Sequence, residues 1–96
     1  MTISNQTSIT PILPTSQTNG FTPWSVVLHN DNVNTYTYVI LNLINLIKLD
    51  LPEAIQKTIE VDTKGLAVVA ITHKEHAELL QEQLKSVFLI CTIEPS

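Results

Sequence analysis

Apolar residues recur along this chain with distinct spacings, and each spacing predicts a different element. Val26-Val27-Leu28 is an unbroken apolar run that ends in the polar cluster His29-Asn30-Asp31-Asn32, the pattern of a short buried strand and its exit turn. From Thr35 to Leu49 the period becomes three to four. Val39, Ile40, Leu43, Ile44 and Ile47 form one broad stripe of a helix that Asn34 or Thr35 can cap. Asp50-Leu51-Pro52-Glu53 restarts a helix, with Asp50 at the cap, Pro52 in the first turn and Glu53 favourable to the dipole. Ile55 and Ile59 are expected on its buried face. After Gly65, Leu66 to Ile71 is an all-apolar strand rich in β-branched residues. Thr72-His73-Lys74-Glu75 fits a capping box that opens a third helix through about Ser86, with Ala77, Leu80 and Leu84 inward. Val87 to Ile93 is expected to close the chain as a strand.

The order is βααβαβ. It predicts an α+β fold, a two-layer sandwich in which a three-stranded antiparallel sheet carries three helices on one side. Residues 24–96 form this domain, and residues 1–23 are a different kind of chain. That first stretch has no charged side chain, is rich in Thr, Ser, Asn, Gln and Pro, and repeats at no helical or strand spacing. It is expected to be a flexible tail.

Composition narrows the function. Ninety-six residues support one core, and 44% apolar with 15% charged side chains is ordinary for a globular domain. The net charge is -4, with five scattered lysines and no arginine. Nucleic acid binding depends on Lys and Arg displacing counterions from phosphates, so nucleic acid is an unexpected partner. The single cysteine, Cys91, excludes an intrachain disulfide and fits a reducing compartment. Within Phe88-Leu89-Ile90-Cys91 it reads as a buried thiol rather than a nucleophile. No apolar run reaches the roughly 18 residues that span a bilayer, and the N-terminus resembles neither a secretory signal nor a transit peptide. A soluble intracellular monomer is expected.

The chemistry candidates are few. His73 and His76 are three apart on one helix, and His29 with Asp31 or Asp62 could join them on an ion. However, no recognised metal spacing is present and the only cysteine falls in an expected strand. There is no Gly-x-Ser-x-Gly elbow and no phosphate-cradling glycine loop. Glu60 and Asp62 are two apart, which on a helix does not bring side chains together. A binding module fits better than an enzyme, and no cofactor or metal is expected. Asn30 and Asp31 offer several acceptor lone pairs with a negative charge, which suits an ammonium group; equally, Asn-Asp pairs end strands and cap turns. If Tyr36, Val39, Thr58, Val61, Asp62 and Leu89 converge on them, acceptors line the mouth of an apolar pocket. Periodicity alone makes Val39, Val61 and Leu89 plain core.

These residues resemble the ClpS family, adaptors of the Clp AAA+ protease, from about Trp24 to Glu94. The likeness rests on Val26-Val27-Leu28-His29-Asn30-Asp31, Lys64-Gly65-Leu66-Ala67-Val68-Val69, Glu75-His76-Ala77-Glu78 and Leu89-Ile90-Cys91-Thr92-Ile93-Glu94. It implies an adaptor, not an enzyme, that recognises destabilising N-terminal residues (N-degrons). By that resemblance Asn30, Asp31 and Asp62 would bind the α-amino group, while Tyr36, Val39, Thr58, Val61 and Leu89 would line a hydrophobic pocket. Glu75 and Glu78 would face the N-domain of a ClpA- or ClpC-type unfoldase, and the tail would enter the translocation machinery. It further implies the cytoplasm, or the stroma of a plastid.

The chain departs from the family pattern where specificity is set. Asn-Asp-Asp followed by Thr-Pro becomes Asn30-Asp31-Asn32 followed by Asn34-Thr35, the pocket histidine becomes Asp62, and Tyr36 and Thr58 stand where methionines are common. An altered N-terminal preference is expected. The alternatives are an unfoldase-docking regulator that has lost N-degron binding, a structural domain like the ribosomal stalk protein's C-terminal domain, and, more remotely, a hydrolase.

Overall fold

In the computed structural model, which describes residues 22–96, the run at Val26 to Leu28 is the middle of the sheet's central strand, β1 (Trp24–His29). The flexible tail expected over residues 1–23 lies outside the described residues, apart from Thr22 and Pro23. β1 pairs antiparallel on both sides, with β2 (Leu66–Thr72) and β3 (Ile90–Pro95), in the order β2-β1-β3. Pairing on two edges explains why β1 is almost wholly apolar. Val26 and Leu28 face the helices, and Ser25 and Val27 on the other face are flanked by Ile71 and Glu94 and by Val68 and Thr92. The register with β2 slips between Val26 and Val27, leaving Val69 as an additional inward residue of β2.

Helix α1 (Tyr36–Asn42) is capped by Thr35, whose hydroxyl accepts from the Tyr38 amide. It is shorter than the spacing predicts. From Leu43 to Ile47 the winding widens to a π turn, which Lys48 closes at φ 71° by donating to the Leu43 carbonyl. In this wider winding Leu43, Ile44, Leu46 and Ile47 all pack on the core, more residues than one 3.6-period stripe turns inward, and Leu49 beyond it packs there too. Helix α2 (Leu51–Lys64) starts as expected, Asp50 accepting from the Glu53 amide at 2.9 Å, and stops at Gly65, whose φ of 90° favours glycine.

The buried face of α2 is not the expected one. Ala54, Thr58 and Val61 are buried, whereas Ile55 and Ile59 are substantially exposed. Small side chains let the helix approach its neighbours closely, and the larger isoleucines flank that contact. Helix α3 (Lys74–Ser86) buries Ala77, Leu80 and Leu84 as expected. Its cap is His73 rather than Thr72, because Thr72 is still paired with Trp24 as the last residue of β2. The final strand also starts later than expected, at Ile90 instead of Val87, since the preceding residues close α3.

The fold is therefore the α+β two-layer sandwich in the order βααβαβ. Its core lies between one sheet face and three helices, around Val26, Leu28, Leu43, Ala54, Val69 and Leu84. No helix among the described residues is long and apolar enough to cross a membrane.

Candidate functional site

At the exit of β1 the chain turns through Asn30 to Asn34 before α1, and a pocket of about 230 Å³ opens beside this turn. Its floor and walls are Leu28 and His29 at the strand end, Tyr36 and Val39 from α1, Thr58, Val61 and Asp62 from α2, and Leu89 ahead of β3. Asn30, Asp31, Asn32 and Asn34 complete the mouth. Drug-sized ligands occupy pockets of about 300–1,000 Å³, so this one suits a single amino-acid side chain.

The loop is held by its own polar groups. The Asn30 amide donates to the Gly65 carbonyl at 2.9 Å, tying the loop to the end of α2. Asp31 Oδ1 accepts from the amides of Val33 (3.1 Å) and Asn34 (3.0 Å), and its Oδ2 accepts from Asn34 Nδ2 (2.8 Å). Partial burial pushes the Asp31 carboxyl up, but these hydrogen bonds together outweigh it and hold the group below its ordinary value. Asp31 thus stays ionised while bracing the turn. The Asn30 carboxamide makes no hydrogen bond to the described residues and is exposed at the mouth.

Across the pocket, the Tyr36 hydroxyl donates to Asp62 Oδ2, linking the first turn of α1 to the last turns of α2. That bond, then burial and the carboxylate's charge, raises the Tyr36 phenol above its ordinary range and keeps it the donor. Among the described residues nothing donates to Asp62 Oδ1. Thr58 is buried and spends its hydroxyl proton on the Ala54 carbonyl at 2.7 Å. Val61 and Leu89 are buried and Val39 half-buried, so the inner wall is apolar. Chemically, the site sets two unspent carboxamides, Asn30 and Asn32, and two carboxylates around a small greasy cavity. It suits a compact cation joined to an apolar group.

All eight residues expected at the pocket line this one cavity. Glu75 and Glu78 lie elsewhere, exposed on the first turns of α3. Sequence reasoning did not assign Leu28 or Asn34 to the site. In the sequence Asn34 stands as a possible cap, although the Asp31-x-x-Asn34 spacing signals a side-chain-braced turn. A larger groove of about 510 Å³ runs between Asn45 to Lys48, the end of β2 and α3, and it carries no carboxylate. His29 bonds to Thr92 Oγ1 at 2.8 Å, away from His73 and His76. Among the described residues, no three His, Cys, Asp or Glu side chains are grouped to hold a metal ion. Cys91 is buried, and burial raises its thiol above the ordinary value, with the Lys85 charge opposing.

The family model described as ATP-dependent Clp protease adaptor protein ClpS matches residues 20–88. The ATP-dependent Clp protease adapter protein ClpS of Synechococcus elongatus is 38% identical over 73 residues, covering 75% of this chain and 77% of its own length. That of Gloeobacter violaceus is 37% identical, covering 75% of this chain and 78% of its own. The chloroplastic Clp protease adapter protein of Arabidopsis thaliana is 35% identical over 76% of this chain and 46% of its own. Among solved structures, Agrobacterium tumefaciens ClpS2 bound to L-phenylalaninamide superposes with a TM-score of 0.68 at 20% identity. That match covers 78% of this chain and 98% of the other.

Proposed function

The chain belongs to the ClpS family of ATP-dependent Clp protease adaptors, and from that premise we propose that it captures proteins by their N-terminal residue and delivers them for degradation. The observation that carries this reading is the pocket itself, an apolar cavity of one-residue size with acceptors and negative charge at its mouth. The α-ammonium of a substrate donates to the Asn30 carboxamide oxygen and to Asp62, with the Asp31 charge alongside. The first side chain enters between Tyr36, Val39, Thr58, Val61 and Leu89. L-phenylalaninamide, the ligand of the structural neighbour, joins an ammonium to an apolar ring, which supports the reading. The adaptor itself makes and breaks no bond. It acts as a monomer in the cytoplasm or plastid stroma, and the α3 face carrying Glu75 and Glu78 meets the N-domain of the Clp unfoldase.

Specificity is altered by the Tyr36–Asp62 bond, which spans the cavity where the family commonly has methionine and histidine. A stiff ring fixed at both ends narrows the pocket and disfavours the largest aromatics. Peptides beginning Leu, Phe, Tyr or Trp, titrated by fluorescence polarisation, test both levels. Acetylating the amine removes its charge and two donors, so affinity falls more than about tenfold, or about 1.4 kcal/mol. Equal binding of all four peptides contradicts the narrowed preference, and equal binding of acetylated peptides contradicts N-terminal recognition.

The same hydrogen bond favours one second reading, in which Asp62 is satisfied internally and the protein docks on the unfoldase without taking N-degrons. Unfoldase binding with no difference between free and acetylated peptides decides for it.

A further inference from the structure

The turn from α3 to β3 carries a residue in the wrong conformation for its size. Leu89 donates to the Leu84 carbonyl (3.1 Å) and Phe88 to the Lys85 carbonyl (2.9 Å), the paired bonds of a Schellman closure. The residue at its left-handed position is normally glycine. Here it is Phe88, at φ 67°, and the residue is 83% exposed. A Cβ-bearing residue is disfavoured in that region, and a ring so exposed gains little from burial. Neither backbone preference nor packing accounts for an aromatic there.

The turn is also held rigidly. Tyr38 Oη donates to the Val87 carbonyl at 2.7 Å, and Asn34 Nδ2 donates to the Phe88 carbonyl at 3.1 Å while bonding Asp31 Oδ2. The strained residue is therefore tied to α1 and to the pocket loop at once, as strained positions at binding sites are. The next residue, Leu89, lines the pocket. On the loop side, Val33 immediately precedes Asn34 and is 86% exposed. Two exposed apolar residues thus adjoin pocket-lining ones along the chain, Val33 next to Asn34 and Phe88 next to Leu89, and the Asn34–Phe88 bond ties the two segments together.

We infer that Phe88 and Val33 form a second subsite, which takes an apolar side chain at the second or third residue of the same captured polypeptide. This rests on the N-terminal recognition proposed above. Each extended residue advances about 3.3–3.6 Å, so positions two and three lie roughly 3.5 and 7 Å from the anchored first residue. Phe88 is one Cα step, about 3.8 Å, from a pocket-lining residue. The backbone that carries the ring is already held, so contact orders only the ring's two side-chain torsions, which favours its use as a platform.

Paired fluorescent peptides test this. Each begins with Leu, Phe, Tyr or Trp and continues with either Leu-Leu or Ser-Ser, and each is titrated against the full chain. The Leu-Leu member of the best-bound pair binds about fivefold or more tightly than its Ser-Ser partner. Phe88→Asn, which tolerates the left-handed turn, abolishes that preference and leaves Ser-Ser affinity within about twofold. Phe88→Tyr retains the preference. Equal affinity of the wild-type chain for both members overturns the inference and leaves the ring to some other partner. So does a preference that survives Phe88→Asn, or a variant that weakens both members alike, which is a structural effect on the turn. If free-amine peptides bind no better than acetylated ones, N-terminal recognition itself fails and the subsite with it.

Discussion

Asp31 shows how one side chain serves two ends. Its two oxygens accept three donors from Val33 and Asn34, yet it lines the pocket mouth as a charge. Sequence reasoning left open whether the Asn-Asp pair ends a strand or meets a ligand. In the structure Asp31 braces the turn, and the Asn30 carboxamide makes no hydrogen bond to the described residues. The residue types were legible, but this difference was not, because Asn34 also reaches the Phe88 carbonyl, 54 positions away. A pH dependence follows. The folded Asp31 carboxyl lies below its ordinary value of 3.8. Its contribution to stability is therefore complete above that value and is lost as pH falls through the folded one. Asp31→Asn costs on the order of 1 kcal/mol at pH 7, the scale of lost charge-assisted hydrogen bonds. Urea midpoints of the two proteins converge as pH drops below about 4; a constant gap down to pH 2 contradicts this account.

Elements were easier to foresee than their faces and ends. Six elements and their order follow from periodicity and caps, since Asp50, Thr35 and Gly65 act locally. The inner face of α2 does not. Hydrophobicity favours Ile55 and Ile59, but the close approach of α2 selects Ala54, Thr58 and Val61, about one residue's rotation away. Family resemblance put Thr58 and Val61 at the pocket where periodicity did not. The start of β3 was missed for a related reason. Val87-Phe88-Leu89 is apolar like a strand, but its amides are consumed in closing α3. Strain at Phe88 can be measured at this scale. Phe88→Gly removes a left-handed penalty of about 1–2 kcal/mol and sacrifices little burial, so it stabilises the fold by about 1 kcal/mol against urea. Destabilisation instead means that the ring packs against the domain.

In the whole molecule, the pocket belongs to no single element. The end of β1, both ends of the α1–α2 pair and the α3–β3 turn each contribute, and Leu28 lies in the central core and in the pocket wall at once. A domain of this size has only about 5–15 kcal/mol of net stability, and removing a buried leucine typically costs about 2–5 of it. Leu28→Ala therefore lowers the melting temperature and weakens peptide capture together, whereas a variant at the exposed Glu78 leaves both unchanged. The linkage runs in reverse as well. A free-amine peptide at one hundred times its dissociation constant adds about 2.7 kcal/mol to stability, a rise on the order of ten degrees in a domain this small. Its acetylated twin at the same concentration adds far less, because the carboxylates at the mouth then face a neutral amide. A rise of equal size for the two peptides means that capture does not depend on the ammonium, and the carboxylates then serve only to fold the loop.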